Sequence, residues 1–448
     1  EERNGRTRRH AQFYLHSSCG FLQGTTKAKL DDLKIYLEMI NKHIFPVVPR
    51  KGSLGTSGDL GPLGCIASVA FGEWKAMYNG KVMPGKEAMD AAGVDLMYLN
   101  AKEGLSLING TSGMVGLACT IITEATNTLK NSDIIAAFAI ETLMGRYNPF
   151  DPIVHEQKYH PGQYATAMNL TKLLKGSHMA IDELELSLKL QSTLKQHKGV
   201  SVADIPVEDA YSIRCTPQFV GPTKEALKNA HEVLLRELNS SNDNPLIFTE
   251  LDTFFHNGHF HGQPISFVMD CLGISMVNIG VISDRRIDRF MDSAHSTGLP
   301  PFLCKEDTGV RMGLMGGQFM TTSLVAENRT LAVPASIQSI TSTADFQDIV
   351  SFGLIAGRKA RKIVENTNHI LSFELLCAAQ AADIRGIDKL SPAGKIMYHA
   401  VRETLEYMDY DKVYIDDLEE LKARIESGEF VERVEKEVGE LLIVHKKE

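Results

Sequence analysis

The stretch KGSLGTSGDLGPLG, residues 51–64, places glycine at 52, 55, 58, 61 and 64 with Pro62 among them. Glycine at every third position is too flexible for a helix interior, and the run is too brief for a collagen-like repeat. It reads as a loop that folds sharply onto itself, between the apolar IFPVVP and a helix beginning near Cys65. Its centre, Gly55-Thr56-Ser57-Gly58, recurs as Gly110-Thr111-Ser112-Gly113 within LINGTSGMVGLA. Around this second copy, Leu105, Ile108, Val115, Leu117 and Ile121 give an ordinary apolar helix pattern, with Asn109 or Thr111 suited to a helix start. The flanks of the two copies differ completely, so they are not part of a larger repeat. A phosphate-cradling loop is excluded at the first copy, because no Gly-Lys-Ser/Thr follows and Asp59 would repel a phosphate. A nucleophilic serine would need a base, and no His lies nearby in the chain.

Outward from the loop, helical periodicity dominates. In PTKEALKNAHEVLLRELNSSNDNP, Leu227, Ala230, Leu234 and Leu238 recur at helical spacing, and the turn formers from Asn239 to Pro245 end that helix. ISFVMDCLGISMVNIGVISDRRIDRF is apolar on most sides until Asp284, as in a helix buried inside a bundle. Leu324 to Val333 and Ile349 to Ile370 look similar. From Ala393 the chain becomes charged and amphipathic, a solvent-facing helical tail. Strand signals are short: Phe45 to Val48, Lys81 to Met83 and Phe254-Phe255. The expectation is a mainly α protein: a long central helical bundle of aspartase-like type, with a loop-rich N-terminal region. Its parts would be 1–190, 191–375 and 376–448.

Composition bounds the function. With 47 basic against 56 acidic residues and a net charge of −9, a nucleic-acid surface is not the main business. The basic runs, Arg6 to Arg9 and Arg358 to Lys362, read as solvated helix faces. Seven scattered cysteines without a CxxC pair suit reduced thiols in a cytoplasmic protein. No run of 18 or more uncharged apolar residues suggests a membrane span.

KGSLGTSGDLGPLG resembles the signature of the ammonia-lyases and aminomutases that make a methylidene-imidazolone (MIO) group from their own backbone. NPFDPIVHEQKYHPGQ, EDAYSIRCTPQ, NSSNDNPLI, FHNGHFHGQP, GLPPFL and FQDIVSFGL follow in that family's order, so the resemblance covers nearly the whole chain. The family triad is usually Ala-Ser-Gly. Thr56-Ser57-Gly58 is a variant that resembles bacterial phenylalanine 2,3-aminomutases. The chemistry makes sense of the residue types. The Gly58 nitrogen must approach the Thr56 carbonyl closely, which only a residue without Cβ permits. Loss of water closes the ring, and loss of the Ser57 hydroxyl leaves the methylidene. The second GTSG is assigned to structure, with its neighbour Asn109 matching a family position near the MIO carbonyl.

The resemblance implies further roles. Arg214 matches the arginine that grips the substrate carboxylate, a task suited to a guanidinium fork. Tyr211 matches a tyrosine beside the MIO, although a buried core tyrosine is the bland alternative. Asn242 matches a residue lining the site, while the other Asn and Asp of NSSNDNP merely shape a turn. Phe260 matches the residue packed beneath the MIO. His256, His259 and His261 suggest a metal at first sight, but no carboxylate or cysteine completes a ligand set and the family uses no metal. Gln347 falls where histidine-specific relatives carry Glu, which favours phenylalanine or tyrosine as substrate. Glu208 stands in place of a common Gln, near Arg214. The lid tyrosine that serves as family base precedes the stretch at which this sequence begins to align, so no residue here is assigned that role. The expected activity is an aromatic L-amino acid 2,3-aminomutase, working as a homotetramer with sites shared between subunits. The alternatives are a plain phenylalanine, tyrosine or, more remotely, histidine ammonia-lyase; a helical scaffold whose loop never cyclises; and, more remotely still, a nucleotide-binding loop protein.

Overall fold

The computed structural model describes residues 29–191, 195–197, 200–202 and 208–445. The Arg6 to Arg9 run and Cys19 lie outside them. The fold is mainly α, as expected, built on four long helices: Ser112–Thr142, Thr216–Leu238, Gln263–Met291 and Gly353–Arg385. The described chain divides into two compact units. One comprises 1–123, 229–273 and 333–361; the other comprises 124–228, 274–332 and 362–448.

The first unit carries a three-stranded antiparallel sheet, Phe45–Pro46, Lys75–Tyr78 and Lys81–Pro84, in that order. Asn79 and Gly80, both at positive φ (49° and 79°), make the tight turn between the last two strands. A core of Tyr36, Met39, Ile44, Leu63, Ile66, Val69, Met89 and Leu107 packs between the sheet and short helices. A second hairpin pairs Leu246–Phe248 with Thr253–Phe255. The helix expected from Cys65 begins instead at Leu60 and runs to Ala70. Gly61 and Pro62 fall in its first turn, where backbone N–H groups lack intrahelical partners and proline costs little.

The second unit is built on one large apolar cluster. Ile134, Phe138, Ile140, Leu170, Phe290, Ile370, Phe373 and Leu376 meet Leu421, Ile425, Phe430 and Val434 there. The charged C-terminal helices, Ile415–Ser427 and Glu429–Val438, therefore bury one face in the core rather than standing in solvent. The Thr216–Leu238 helix starts six residues before Pro222 and runs through it. The packing explains that extension. Gly221 lies so close to the Gln163 backbone that a Cβ would sit 2.5 Å from its nitrogen, and such contact offsets the hydrogen bond that Pro222 forfeits.

The 349–370 segment is helical only from Gly353, and continues to Arg385. The Arg358 to Lys362 run lies on this helix, half-buried apart from a buried Ala360. The Gln263–Met291 helix has a mean hydropathy of 1.9 over its most apolar window, enough to cross a membrane by length and composition. Asp270 and Asp284 break the run of uncharged residues in its sequence. Of that window 67% is buried inside the protein, as in the core helix of a bundle.

A buried ion pair lies inside the second unit. Lys224 and Asp133, both fully buried, lie 2.5 Å apart. Asn169 donates to the same carboxylate, and Lys224 also donates to the Leu442 carbonyl. Lys224→Met leaves Asp133 buried without its cation and is expected to cost ~3–5 kcal/mol. Replacing both, Asp133→Leu with Lys224→Met, should recover most of that loss in a denaturant titration.

Candidate active site

The Thr56-Ser57-Gly58 turn is shaped by backbone sterics. Ser57 has φ 46° and Gly58 φ 79°, a left-handed reversal in which Gly58 is at home and serine is strained. What holds the turn is the second GTSG. Gly58 and Gly110 form a parallel bridge: the Gly110 N–H donates to the Ser57 carbonyl at 3.1 Å, and the Asp59 N–H donates to the Gly110 carbonyl at 2.8 Å. A Cβ on Gly58 would lie 1.9 Å from the Gly110 oxygen, so no other residue fits. On another side, the Phe352 N–H donates to the Leu54 carbonyl at 3.3 Å. A Cβ on Gly55 would meet Ser351 Oγ at 2.5 Å. Two motifs distant in sequence, LINGTSG and FQDIVSFGL, thus press the glycine loop from outside.

Asp59 connects this turn to the helices. Fully buried, it precedes the Leu60–Ala70 helix, while its Oδ2 accepts the Met114 N–H at 2.6 Å. Thr111 stands at the start of the Ser112–Thr142 helix as expected, its carbonyl accepting the Val115 N–H at 3.0 Å, but the side chain that caps the helix is Asp59. Burial pushes the Asp59 carboxyl up to about 7, held back by the Met114 and Gly113 amides. Its Oδ1 has no partner among the described residues.

Thr111 and Asn109 serve the site differently. Thr111 Oγ1 donates to Glu237 Oε1 at 2.6 Å, and Asn242 Nδ2 donates both to that oxygen, at 2.9 Å, and to Thr111 Oγ1. Burial raises the Glu237 carboxyl, opposed by the Thr111 and Asn242 hydrogen bonds. Asn109, 5% exposed, donates from Nδ2 to Asp243 Oδ1 at 3.3 Å. Asp243 also accepts from Ser106 Oγ at 3.0 Å and from Lys102 Nζ. Asp243 is thus a buried hub that orients Asn109, beyond shaping a turn. Glu237 and Asp243 escaped the sequence reading. The one signal for them was their place in or beside NSSNDNP.

The first unit therefore gathers Thr56, Ser57, Gly58, Asn109 and Asn242 around the Gly110 backbone. Phe260 is half-buried in a turn of the same unit. Gln347 is tied locally: its Oε1 accepts from Thr343 Oγ1 at 2.9 Å, and its backbone pairs with Ser342. Among the described residues, no group of three or more His, Cys, Asp or Glu is arranged to hold a metal. His261 Nε2 is buried without a partner among the described residues, and His256 packs edge-on against Phe254.

Tyr211 and Arg214 belong to the second unit, on the single helical turn Tyr211–Arg214. Tyr211 is 71% exposed, so the buried-core alternative fails. Its ring lies under the Arg214 guanidinium, 4.9 Å away. The turn is pinned through its neighbours. Asp209 accepts the Arg146 N–H at 2.6 Å and Arg146 Nη1 at 2.8 Å. Arg286, paired with buried Glu374, donates to the Ser212 carbonyl, and Arg289 donates to Ser212 Oγ.

The raised Asp59 carboxyl has a definite pH signature. Its folded value, about 7, exceeds the unfolded value of about 4. The stability it lends is complete below pH 4 and is lost as pH rises to 7. Asp59→Asn keeps the amide acceptor and is expected to flatten that decline by up to about 1.4 kcal/mol per pH unit. Denaturation midpoints between pH 4.5 and 7.5 check this, with the slope from Glu141, also raised to about 7 by burial, remaining as background.

Comparison with known proteins accords with this geometry. The model of the family described as aromatic amino acid lyase matches residues 15–403. The chain is 41% identical over 402 residues to the MIO-dependent tyrosine 2,3-aminomutase of Streptomyces globisporus, covering 89% of this chain and 74% of that one. It is likewise 41% identical over 416 residues to a histidine ammonia-lyase of Alkaliphilus oremlandii, covering 93% and 78%. The solved structure of the Pantoea agglomerans phenylalanine aminomutase superposes with a TM-score of 0.89 at 45% identity, over 94% of this chain and 80% of that one. Matching motifs, fold and sequence together establish that the chain belongs to the aromatic amino acid lyase family.

Proposed function

We propose that this enzyme is an aromatic L-amino acid 2,3-aminomutase, moving the amine of L-phenylalanine or L-tyrosine to the β-carbon with aryl acrylate and ammonia as competing products. On this reading Thr56, Ser57 and Gly58 condense, without any metal, into a methylidene-imidazolone. The observation that carries it is the Gly58 turn: a left-handed reversal compressed against Gly110, where only glycine fits. That is the constraint a backbone nitrogen needs to reach a carbonyl two residues back. When formed, the group supplies an electrophile for the substrate nitrogen that no standard side chain offers.

The chain's own residues would do the rest. On this reading Arg214 receives the substrate carboxylate, and Tyr211 and Phe260 take the roles that their family motifs imply. Asn109, with Nδ2 committed to Asp243, presents its carbonyl oxygen as an acceptor. Asn242, its amide nitrogen held by Glu237 and Thr111, does the same. Gln347, a neutral amide, suits an aryl ring better than an imidazole. The six free cysteines described fit a reducing compartment, and so a cytoplasmic enzyme; the homotetramer is part of the same reading because the family motifs imply it. A plain ammonia-lyase is the second reading, favoured by relatives of similar identity named as tyrosine and histidine ammonia-lyases.

Intact mass tests the triad: the mature protein should weigh ~36 Da less than its sequence, the loss of two waters. Ser57→Ala should remove the full deficit and lower turnover at least ~1000-fold, about 4 kcal/mol of barrier. Product analysis separates the two readings. β-Phenylalanine or β-tyrosine marks the mutase, and acrylate alone, even early, marks the lyase.

A further inference from the structure

Resting on the reading of Arg214 as the carboxylate grip, we propose that Glu208 is a built-in competitor for that grip and sets how loosely carboxylate ligands are held. A guanidinium can present a carboxylate with two bidentate edges, Nε with Nη2 and Nη1 with Nη2. In Arg214 both edges are engaged. Nε donates to the Asp209 carbonyl at 3.0 Å, and Nη2 lies 2.5 Å from Glu208 Oε2. Nη2 belongs to both edges, so the single Glu208 oxygen there obstructs each bidentate position.

The two partners differ in permanence. The Asp209 contact is anchored, because the Asp209 side chain is locked on the Arg146 N–H and Nη1. It fixes the guanidinium plane and leaves the Nη1–Nη2 edge as the docking edge. The Glu208 contact is displaceable: its side chain is 59% exposed and the Arg214 side chain 29%. Exposed pairs of this kind are weak and screened by salt. An incoming carboxylate must therefore evict Glu208 from Nη2 and then remain beside its negative charge. Amino acid and aryl acrylate share the carboxylate, so both ground states are weakened alike. The consequence is a higher KM and an easier release of acrylate, with the chemical step unaffected.

Calorimetric titration of the full-length enzyme with cinnamate and 4-hydroxycinnamate tests this, with cinnamamide as the uncharged control. Glu208→Gln should lower the Kd of the acrylate it binds about two- to fivefold, the equivalent of one exposed ion pair. Cinnamamide binding should be unchanged. Glu208→Ala should tighten acrylate binding in the same direction, which a structural role for the side chain would not produce. The gain should shrink at high salt. Unchanged or weaker acrylate binding in both variants, with the parent still converting aromatic amino acids, overturns this role and leaves the enzymatic reading standing. Acrylate binding by none of the proteins, with no conversion by the parent, overturns both.

Discussion

Two hydrogen bonds through one residue, Gly110 N–H to the Ser57 carbonyl and Asp59 N–H to the Gly110 carbonyl, hold the turn on which the candidate chemistry depends. Their geometry answers why one tetrapeptide occurs twice. The second copy is the surface against which the first is pressed, glycine on glycine, because a Cβ on Gly58 would overlap the Gly110 carbonyl. The same short segment then spreads the constraint. Asn109 ties it to Asp243, and Thr111 ties it to Glu237 and Asn242. A strained left-handed Ser57 persists only when its surroundings over-determine it, and here they do.

In both units, buried and half-buried carboxylates hold backbone or the side chains that position it. Asp59 caps a 31-residue helix from a loop more than fifty residues earlier. Asp243 gathers hydroxyl, amide and ammonium donors beneath Asn109. In the second unit Asp209 and Glu374, each paired with an arginine, pin the Tyr211–Arg214 turn from two sides. Each carboxylate serves geometry first, and its desolvation is offset by donors that it thereby orients. Glu208, exposed beside Arg214, is the carboxylate proposed to respond to ligands.

Much of the fold was legible in the chain. The long apolar helices, the end of the Thr216–Leu238 helix at the Asn239 to Pro245 cluster, and three short strands lie where periodicity and turn residues put them. The Lys75–Tyr78 strand was overlooked, although Asn79-Gly80 is a strong local hairpin signal. The early start at Leu60 contradicted the glycine count, because first-turn positions tolerate what helix interiors do not. The run through Pro222 and the burial of one face of the C-terminal helices came from packing partners far along the chain. No window of local sequence contains those partners. The same holds for Asp243, whose donors Lys102, Ser106 and Asn109 lie more than a hundred residues away, and for Glu237, which joins Thr111 to nearby Asn242.

The amino-acid order by itself determined the helical class, the family motifs and the residue types of the triad, since periodicity and short motifs are local properties. Only the tertiary structure decided that the second GTSG braces the first, that Asp59 caps a distant helix and that Glu208 occupies Arg214. Those are contacts between residues close in space and, for the first two, remote in sequence. Steric exclusion and hydrogen-bond direction act only once the chain has brought such groups together.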